Sequence, residues 1–281
     1  MKITTLVDNL CISSREDLKV ERGLSLHIET SSTDILFDTG NSRTFCDNAR
    51  LLDIDIAEVG LVVLSHRHHD HCNGTLHFTE ANSKAKIYMR ECEDQNYYFQ
   101  AFGFKSNVGM DKEILERNSH RIEFVKNTTE ISNNIYIVTK IDEKYAQSLG
   151  NKYLYTQSKT GFERDKFNHE LILVIKEEDG LVVFTGCAHS GVLNMVETVV
   201  NLFPEQKIKA VVGGFHLVGL PVFNSIGGSK QDIEVIGQVL AEYPIDKFYT
   251  GHCTGMKAYA ILKQVLSDRL EYIPTGLSVY L

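Results

Sequence analysis

One pattern recurs along this chain and constrains its fold more than any other. A short apolar run of strand type ends in glycine, threonine, serine or aspartate, and a metal-ligand side chain follows within a few residues. "DILFDTG" (34–40), "LVVLSHRHHDH" (61–71), "LVVFTGCAH" (181–189), "AVVGGFH" (210–216) and "FYTGHC" (248–253) are variants of it. Apolar runs bounded by turn signals read as buried strands. The chain therefore gathers its reactive side chains at strand ends, where rigid elements present functional loops.

The stretches between these runs complete a layered α/β pattern. Residues 2–7, 24–29 and 85–90 read as further strands, and "ELILVIKEEDGLVVFTG" as a hairpin around the turn "EEDG". "SGVLNMVETVVNLF" is an apolar helix. "SKQDIEVIGQVLAEYP" is a second, with Ser229 as its N-cap and Pro244 past its end. In a third, Ala258, Ile261, Leu262, Val265 and Leu266 share one face. The closing run "YIPTGLSVYL" reads as a strand. Residues 1–281 are expected to form a single domain, with an insertion or lid at about 91–165. Tyr97, Tyr98, Phe99 and Phe102 in that insertion would either stack a planar ligand or pack in a core.

Composition narrows the function. Of 281 residues, 37 are acidic and 29 are Lys or Arg, a formal charge of -8 with no basic block. Nucleic-acid binding needs clustered Lys and Arg to neutralise phosphates, so it is not expected. No apolar run approaches the roughly 18 residues that span a bilayer. The start "MKITTLVDNLCISS" lacks the apolar stretch of a signal peptide. The six cysteines show no tight spacing and are expected to be reduced. The expected location is the cytoplasm and the expected partner a small molecule.

The densest segment reads as H-x-H-x-D-H: His66, His68, Asp70 and His71. Imidazole and carboxylate suit Zn²⁺, Fe²⁺ or Mn²⁺. His66 and His68 are two apart and face the same way from extended backbone. Asp70 and His71 follow a turn and face a second position. His69 and Cys72 are expected to point elsewhere. Four ligands cannot close two sites, so partners must come from other strand ends: His169, Cys187, His189, His216 and His252. His27, His77 and His120 read as structural or surface residues.

The order of "DILFDTG", "SHRHHDH", "HELILVI", "FTGCAH" and "TGHCTG" resembles the metallo-β-lactamase fold superfamily over nearly the whole chain. "LVDN", "RGLSLHIE", "NHELILVI", "GCAHSGVLN", "GGFHL" and "HCTG" further resemble its branch of metal-dependent hydrolases that includes the 7,8-dihydropterin-6-yl-methyl-4-(β-D-ribofuranosyl)aminobenzene 5′-phosphate synthases. The resemblance implies a four-layer αββα sandwich of two mixed β-sheets and a site for two divalent ions, zinc foremost, with iron, manganese or magnesium as alternatives. It implies one ion on His66, His68 and His169, and another on Asp70, His71 and His252. The superfamily's bridging Asp is missing, and Cys187 stands in its place with His189 as a rival ligand. Asp38 resembles the carboxylate that orients a ligand histidine. Asp70 would hold or accept a proton. His216 would act as general acid or substrate anchor. The implied activity is hydrolysis of an ester, lactone or phosphoester on a phosphorylated or planar molecule. Alkyl transfer by a synthase and a non-catalytic metal or ligand sensor are the other readings.

Overall fold

The computed structural model describes residues 1–159, 161–220 and 225–281. It divides the chain into two compact units. The first comprises residues 1–125, 156–163 and 273–281, the second residues 126–155 and 164–272.

In the first unit, β1 (Lys2–Val7), β2 (Ser25–Glu29) and β3 (Asp34–Phe37) precede helix α1 (Thr44–Leu51). Next come β4 (Leu61–Val63), the single turn α2 (His69–Cys72), α3 (Thr75–Ala81) and β5 (Lys86–Arg90). β6 (Asn96–Ala101), β7 (Phe104–Asn107), α4 (Lys112–Asn118) and β8 (Ile122–Val125) complete this half. The chain's last strand, Ser278–Tyr280, returns beside β1, and the sheet continues β1-β2-β3-β4-β5-β8. It is antiparallel up to β3 and parallel from β3 to β8. One face buries Leu6, Leu36, Val62 and Ile87 against Phe45 of α1, Phe78 of α3 and Ile114 of α4.

The second unit opens with β9 (Thr129–Ser132) and β10 (Ile135–Val138); β11 (Leu154–Ser158) and β12 (Gly161–Arg164), next along the chain, belong largely to the first. β13 (Ile172–Glu177), β14 (Gly180–Gly186), α5 (Val192–Leu202) and β15 (Ile208–Gly213) follow, then α6 (Lys230–Glu242), β16 (Ile245–Thr250), α7 (Met256–Leu266) and β17 (Leu270–Tyr272). The sheet order is β17-β16-β15-β14-β13-β10-β9, parallel from β14 to β17. Met195 and Val199 of α5, Ile233 and Leu240 of α6 and Leu262 of α7 pack on Val183, Val211 and Phe248. Ser229 caps α6 as the sequence suggests, in a reciprocal capping box with Asp232.

Every residue of β14 is buried, which explains why it reads as a continuous apolar run rather than an alternating one. The expected α/β class with two large mixed sheets is the one observed. Residues 91–165 are shared among three sheets. β8 joins the first large sheet and β9 and β10 the second, while β12-β11-β6-β7 forms a small sheet of its own. Among the described residues no helix is long and apolar enough to cross a membrane. All six cysteines are free thiols.

Candidate metal centre

Each large sheet gathers donor side chains at one edge. In the first unit this edge lies where β3 and β4 end. Asp38 follows β3 in a left-handed conformation, φ 59°, which Asp tolerates better than most residues. It is fully buried, and its N–H bonds Val63 O at 2.9 Å. Its carboxylate accepts the Ser65 N–H (2.7 Å), the Ser65 hydroxyl (2.7 Å) and His71 Nδ1–H (2.6 Å).

This network fixes two tautomers. An ionised carboxylate only accepts, so the Ser65 hydroxyl must donate to Asp38. Ser65 Oγ is then the acceptor for His66 Nδ1, 2.8 Å away. His66 and His71 are both held as Nδ1–H forms, with their lone pairs on Nε2. His66 Nε2 lies 3.1 Å from His68 Nδ1. Two nitrogens bound to one tetrahedral zinc at their usual lengths lie roughly 3.3 Å apart. The pair therefore has the span of a ligand edge. The rings of His66 and His71 are 4.2 Å apart. Asp70 is nearly buried, with Arg22 at 3.9 Å.

Backbone bonds clamp the motif from both sides. Thr39 donates to His71 O from its N–H (2.8 Å) and hydroxyl (3.1 Å), and Leu24 N–H reaches Asp70 O (3.2 Å). On the other side, His69 N–H bonds Val108 O and Met110 N–H bonds Arg67 O, both at 2.9 Å. A Cβ at Gly74 would overlap Thr39 O, so the turn needs glycine there. His69 faces outward, its Nδ1 2.8 Å from Asn41 Oδ1. The Cys72 thiol bonds His66 O at 2.9 Å, and burial pushes its pKa well up. Of the aromatics in the small sheet, Tyr97 meets His68 edge-on at 6.0 Å. Tyr98 instead flanks the Lys105 amine together with Phe162, and Phe102 is 79% exposed.

In the second unit the edge is formed by the carboxyl ends of β14, β15 and β16, which are adjacent and parallel, the usual place for a site in such sheets. The chain leaves these strands through left-handed residues: Ala188 (φ 54°), His216 (45°) and His252 (48°). Such positions cost on the order of 1–3 kcal/mol each and persist only where surrounding structure enforces them. One ligand atom each from Cys187, His189 and His216 lie within 4.8 Å of one another, and so do those of Cys187, His252 and Cys253. All five residues are buried.

His189 is oriented as firmly as His66. Asn151 Nδ2 donates to His189 O (2.8 Å), which turns Asn151 Oδ1 toward His189 Nδ1 (3.0 Å) and leaves the lone pair on Nε2. Its ring stacks on Phe167 at 4.5 Å and 2°. The Glu170 carboxylate receives the N–H groups of His189 (2.6 Å) and Ser190 (2.7 Å). Burial lifts Glu170 to about 7 against the pull of those donors. His169 turns Nε2 to Asp165 at 3.1 Å. His216 O accepts the Ser148 hydroxyl (2.5 Å) and Gly150 N–H (2.9 Å), and its ring lies 4.2 Å from that of His189. Burial alone would raise the Cys253 thiol, but Cys187, His252 and His216 outweigh it and hold it well below its ordinary value.

The structure thus brings His66, His68 and His71 together beside Asp38 in one unit, with Asp70 on the same turn and its carboxylate 3.9 Å from Arg22. It gathers Cys187, His189, His216 and His252 in the other, with His169 just before β13. Ser65, Asn151, Asp165, Phe167, Glu170 and Cys253 shape these clusters without having stood out in the sequence. Only Cys253 carried a signal, its place beside His252 in "HCTG". Neutral imidazoles with assigned lone pairs, a carboxylate and thiols are the donor chemistry of a divalent transition metal, and the residues fit one.

Residues 19–252 match the metallo-beta-lactamase superfamily, and the chain belongs to that superfamily. Within it, the chain is 26% identical over 272 residues to the 7,8-dihydropterin-6-methyl-4-(β-D-ribofuranosyl)-aminobenzene-5′-phosphate synthase of Methanocaldococcus jannaschii, covering 91% of this chain and 88% of that one. An uncharacterized protein of the same organism is 28% identical over 268 residues, covering 94% of both. Among solved structures, Tm1679, a metal-dependent hydrolase of the β-lactamase superfamily, superposes with a TM-score of 0.82 at 28% identity over 100% of this chain and 99% of its own. Zinc-bound PqqB from Methylobacterium extorquens shares the fold, with a TM-score of 0.62 at 10% identity over the full length of both chains.

Proposed function

We propose that the protein is a metal-dependent hydrolase acting on an ester, lactone or phosphoester of a small molecule. The observation that carries this reading is the Asp38–Ser65–His66 and Asp38–His71 network, which keeps the lone pairs of two adjacent imidazoles on Nε2, that of His66 3.1 Å from His68 Nδ1. A buried carboxylate committed to three donors is the orienting group that metal-ligating histidines require. Tm1679, similar over its whole length, is named a metal-dependent hydrolase.

The proposed ligands are His66, His68 and His169 for one ion and Asp70, His71 and His252 for another, joined by Cys187 or His189. Divalent ions in such sets lower the pKa of a water and polarise a carbonyl or phosphoryl oxygen. With the ions bound, Asp70 would be the group that takes up a proton from the attacking water, and His216 would donate one to the leaving group or anchor the substrate. Asp38 and Asn151 keep the imidazoles in their ligating tautomers.

Alkyl transfer is the second reading, favoured by the synthase relative at 26% identity. Metal analysis and a substrate panel test both. Purified protein should carry close to two divalent ions, and His68→Ala should lose the ion assigned to His66 and His68, and with it turnover, while its fold stays intact. Protein that remains metal-free after purification without chelators, or a His68→Ala enzyme that still turns over, overturns the metal reading. Joining of a dihydropterin to an aminobenzene ribofuranosyl phosphate without ester, lactone or phosphoester cleavage selects the synthase.

A further inference from the structure

Cys253 stands outside the ligand sets given above, yet its surroundings are those of a ligand. We infer that Cys253, Cys187 and His252 form a Cys₂His set for a thiophilic divalent ion, with zinc as the physiological choice. This rests on the reading of the protein as a metal enzyme and sharpens the identity of one ion.

Three features of the second unit support it. The first is proximity. One ligand atom from each of the three residues lies within 4.8 Å of the others, and all three residues are more than nine-tenths buried. Two thiolates on one tetrahedral zinc lie roughly 3.8 Å apart, so the cluster needs only small adjustments to close on an ion.

The second is the turn that presents them. β16 ends at Thr250, and Gly251 leads in extended conformation into His252 at φ 48° and the short 3₁₀ turn His252–Thr254. This places two consecutive side chains, His252 and Cys253, beside Cys187 at the end of β14. The turn is fastened to the end of β15. Thr250 Oγ1 donates to Gly213 O at 2.9 Å, and Thr254 Oγ1 receives Phe215 N–H at 2.9 Å. The two threonine hydroxyls are 2.6 Å apart.

The third is room made for sulfur. A Cβ at Gly214 would overlap Cys253 Sγ, so the thiol occupies the space that glycine leaves. Gly214 N–H bonds Gly186 O at 2.6 Å, tying this corner to the residue before Cys187. Cys253 Sγ lies 3.7 Å from Cys187 O. The second glycine of "VVGGFH" thus has a purpose that secondary structure alone does not explain.

The chemistry balances simply. Zn²⁺ displaces one proton from each thiol to solvent, while His252 binds as neutral imidazole. Two thiolates cancel the ion's charge. Soft sulfur ligands select zinc over Mn²⁺ and Mg²⁺, which prefer oxygen. Manganese is therefore expected to leave this position empty even where it fills the histidine cluster.

X-ray absorption on the zinc-loaded wild-type protein tests the inference without any substitution. The expected result is a Zn–S shell at ~2.3 Å averaging one sulfur per zinc when two ions are bound per chain. Half a sulfur per zinc, the value for Cys187 alone, or none, overturns it. Co²⁺ titration gives the assignment. The near-ultraviolet thiolate-to-cobalt band should fall by about half in Cys253→Ser and in Cys187→Ser, vanish in the double variant, and persist in His68→Ala. A band of full wild-type height in Cys253→Ser overturns the inference. Cobalt binding to wild type with no thiolate band removes only the Cys₂His assignment. A wild-type protein that binds neither cobalt nor zinc removes the metal reading altogether.

Discussion

Replacing Asp38 by asparagine tests whether tautomer control presents the metal ligands. Asparagine has the same shape and tolerates the left-handed backbone found there, so the turn should persist. Its amide has one acceptor oxygen where the carboxylate had two. Ser65 N–H needs that oxygen, which turns the amide N–H group toward Ser65 Oγ and His71 Nδ1. Each of those atoms donates to Asp38 in the wild type; now each must accept. His71 is driven to its Nε2–H form, which cannot bind a metal through Nε2. The Ser65 hydroxyl proton is released toward His66 Nδ1, 2.8 Å away, and favours the same switch there. Changes to such orienting partners typically cost 10–100-fold in metal affinity, or about 1.4–2.8 kcal/mol. Zinc dissociation constants, measured at neutral pH by competition with a chromogenic chelator, should weaken by that factor. Thermal unfolding of the metal-free variant should still show a cooperative fold. A folded variant that binds zinc within twofold of wild type would refute the reasoning, since the carboxylate network would then not be what presents Nε2.

Three further outcomes are expected. Burial depresses the pKa of His27 below 6.5, partly opposed by Asp34 and Glu29, with Lys2 adding to the depression. The folded state thus favours the neutral ring, and stability from this site is present above the unfolded pKa and lost as pH falls from there toward the lower folded value. His27→Gln should flatten the decline of denaturant stability below pH 6.5, and an equally steep decline would exclude His27 as its source. Ser229→Ala removes the capping box of α6 and should cost about 1 kcal/mol in urea unfolding, while Ser229→Gly should cost only a few tenths. Equal losses would show that the cap contributes little. Gly150→Ala places a Cβ 2.6 Å from His216 Cδ2 and Val218 O. It should lower stability by roughly 1–3 kcal/mol and shift the His216 resonances, and an unperturbed His216 would contradict the packing described here.

Much of the architecture was legible because local pattern and tertiary role agree. Val62 and Val63, or the run from Leu181 to Phe184, are apolar at every position and buried at every position. α6 declares its start through Ser229 and Asp232. The H-x-H-x-D-H element was legible as chemistry because all its members lie within six residues. The groups that orient the histidines were harder to see. Glu170 acts on His189 and Ser190, 19 and 20 residues away, and Asn151 acts on His189 across 38. Glu170 looks in sequence like the polar start of a strand, and only the fold turns it into a fully buried acceptor. Asp38 was legible and Ser65 was not, although both belong to one network, because a serine before a histidine is unremarkable until its hydroxyl is seen between two partners. Residues 91–165 lacked clear periodicity for a related reason: their strands are short and serve three different sheets.

The left-handed corners at Asp38, Ala188, His216 and His252 have an evolutionary consequence. At the end of β14 the bend belongs to Gly186 and Ala188, which enclose Cys187 without depending on its side chain. Direction and donor identity are therefore inherited separately. A single codon change at position 187 exchanges thiolate for carboxylate while the backbone trajectory stays the same. Metal preference in such a scaffold can drift faster than its shape, so descendants that superpose closely can differ in the ion they hold.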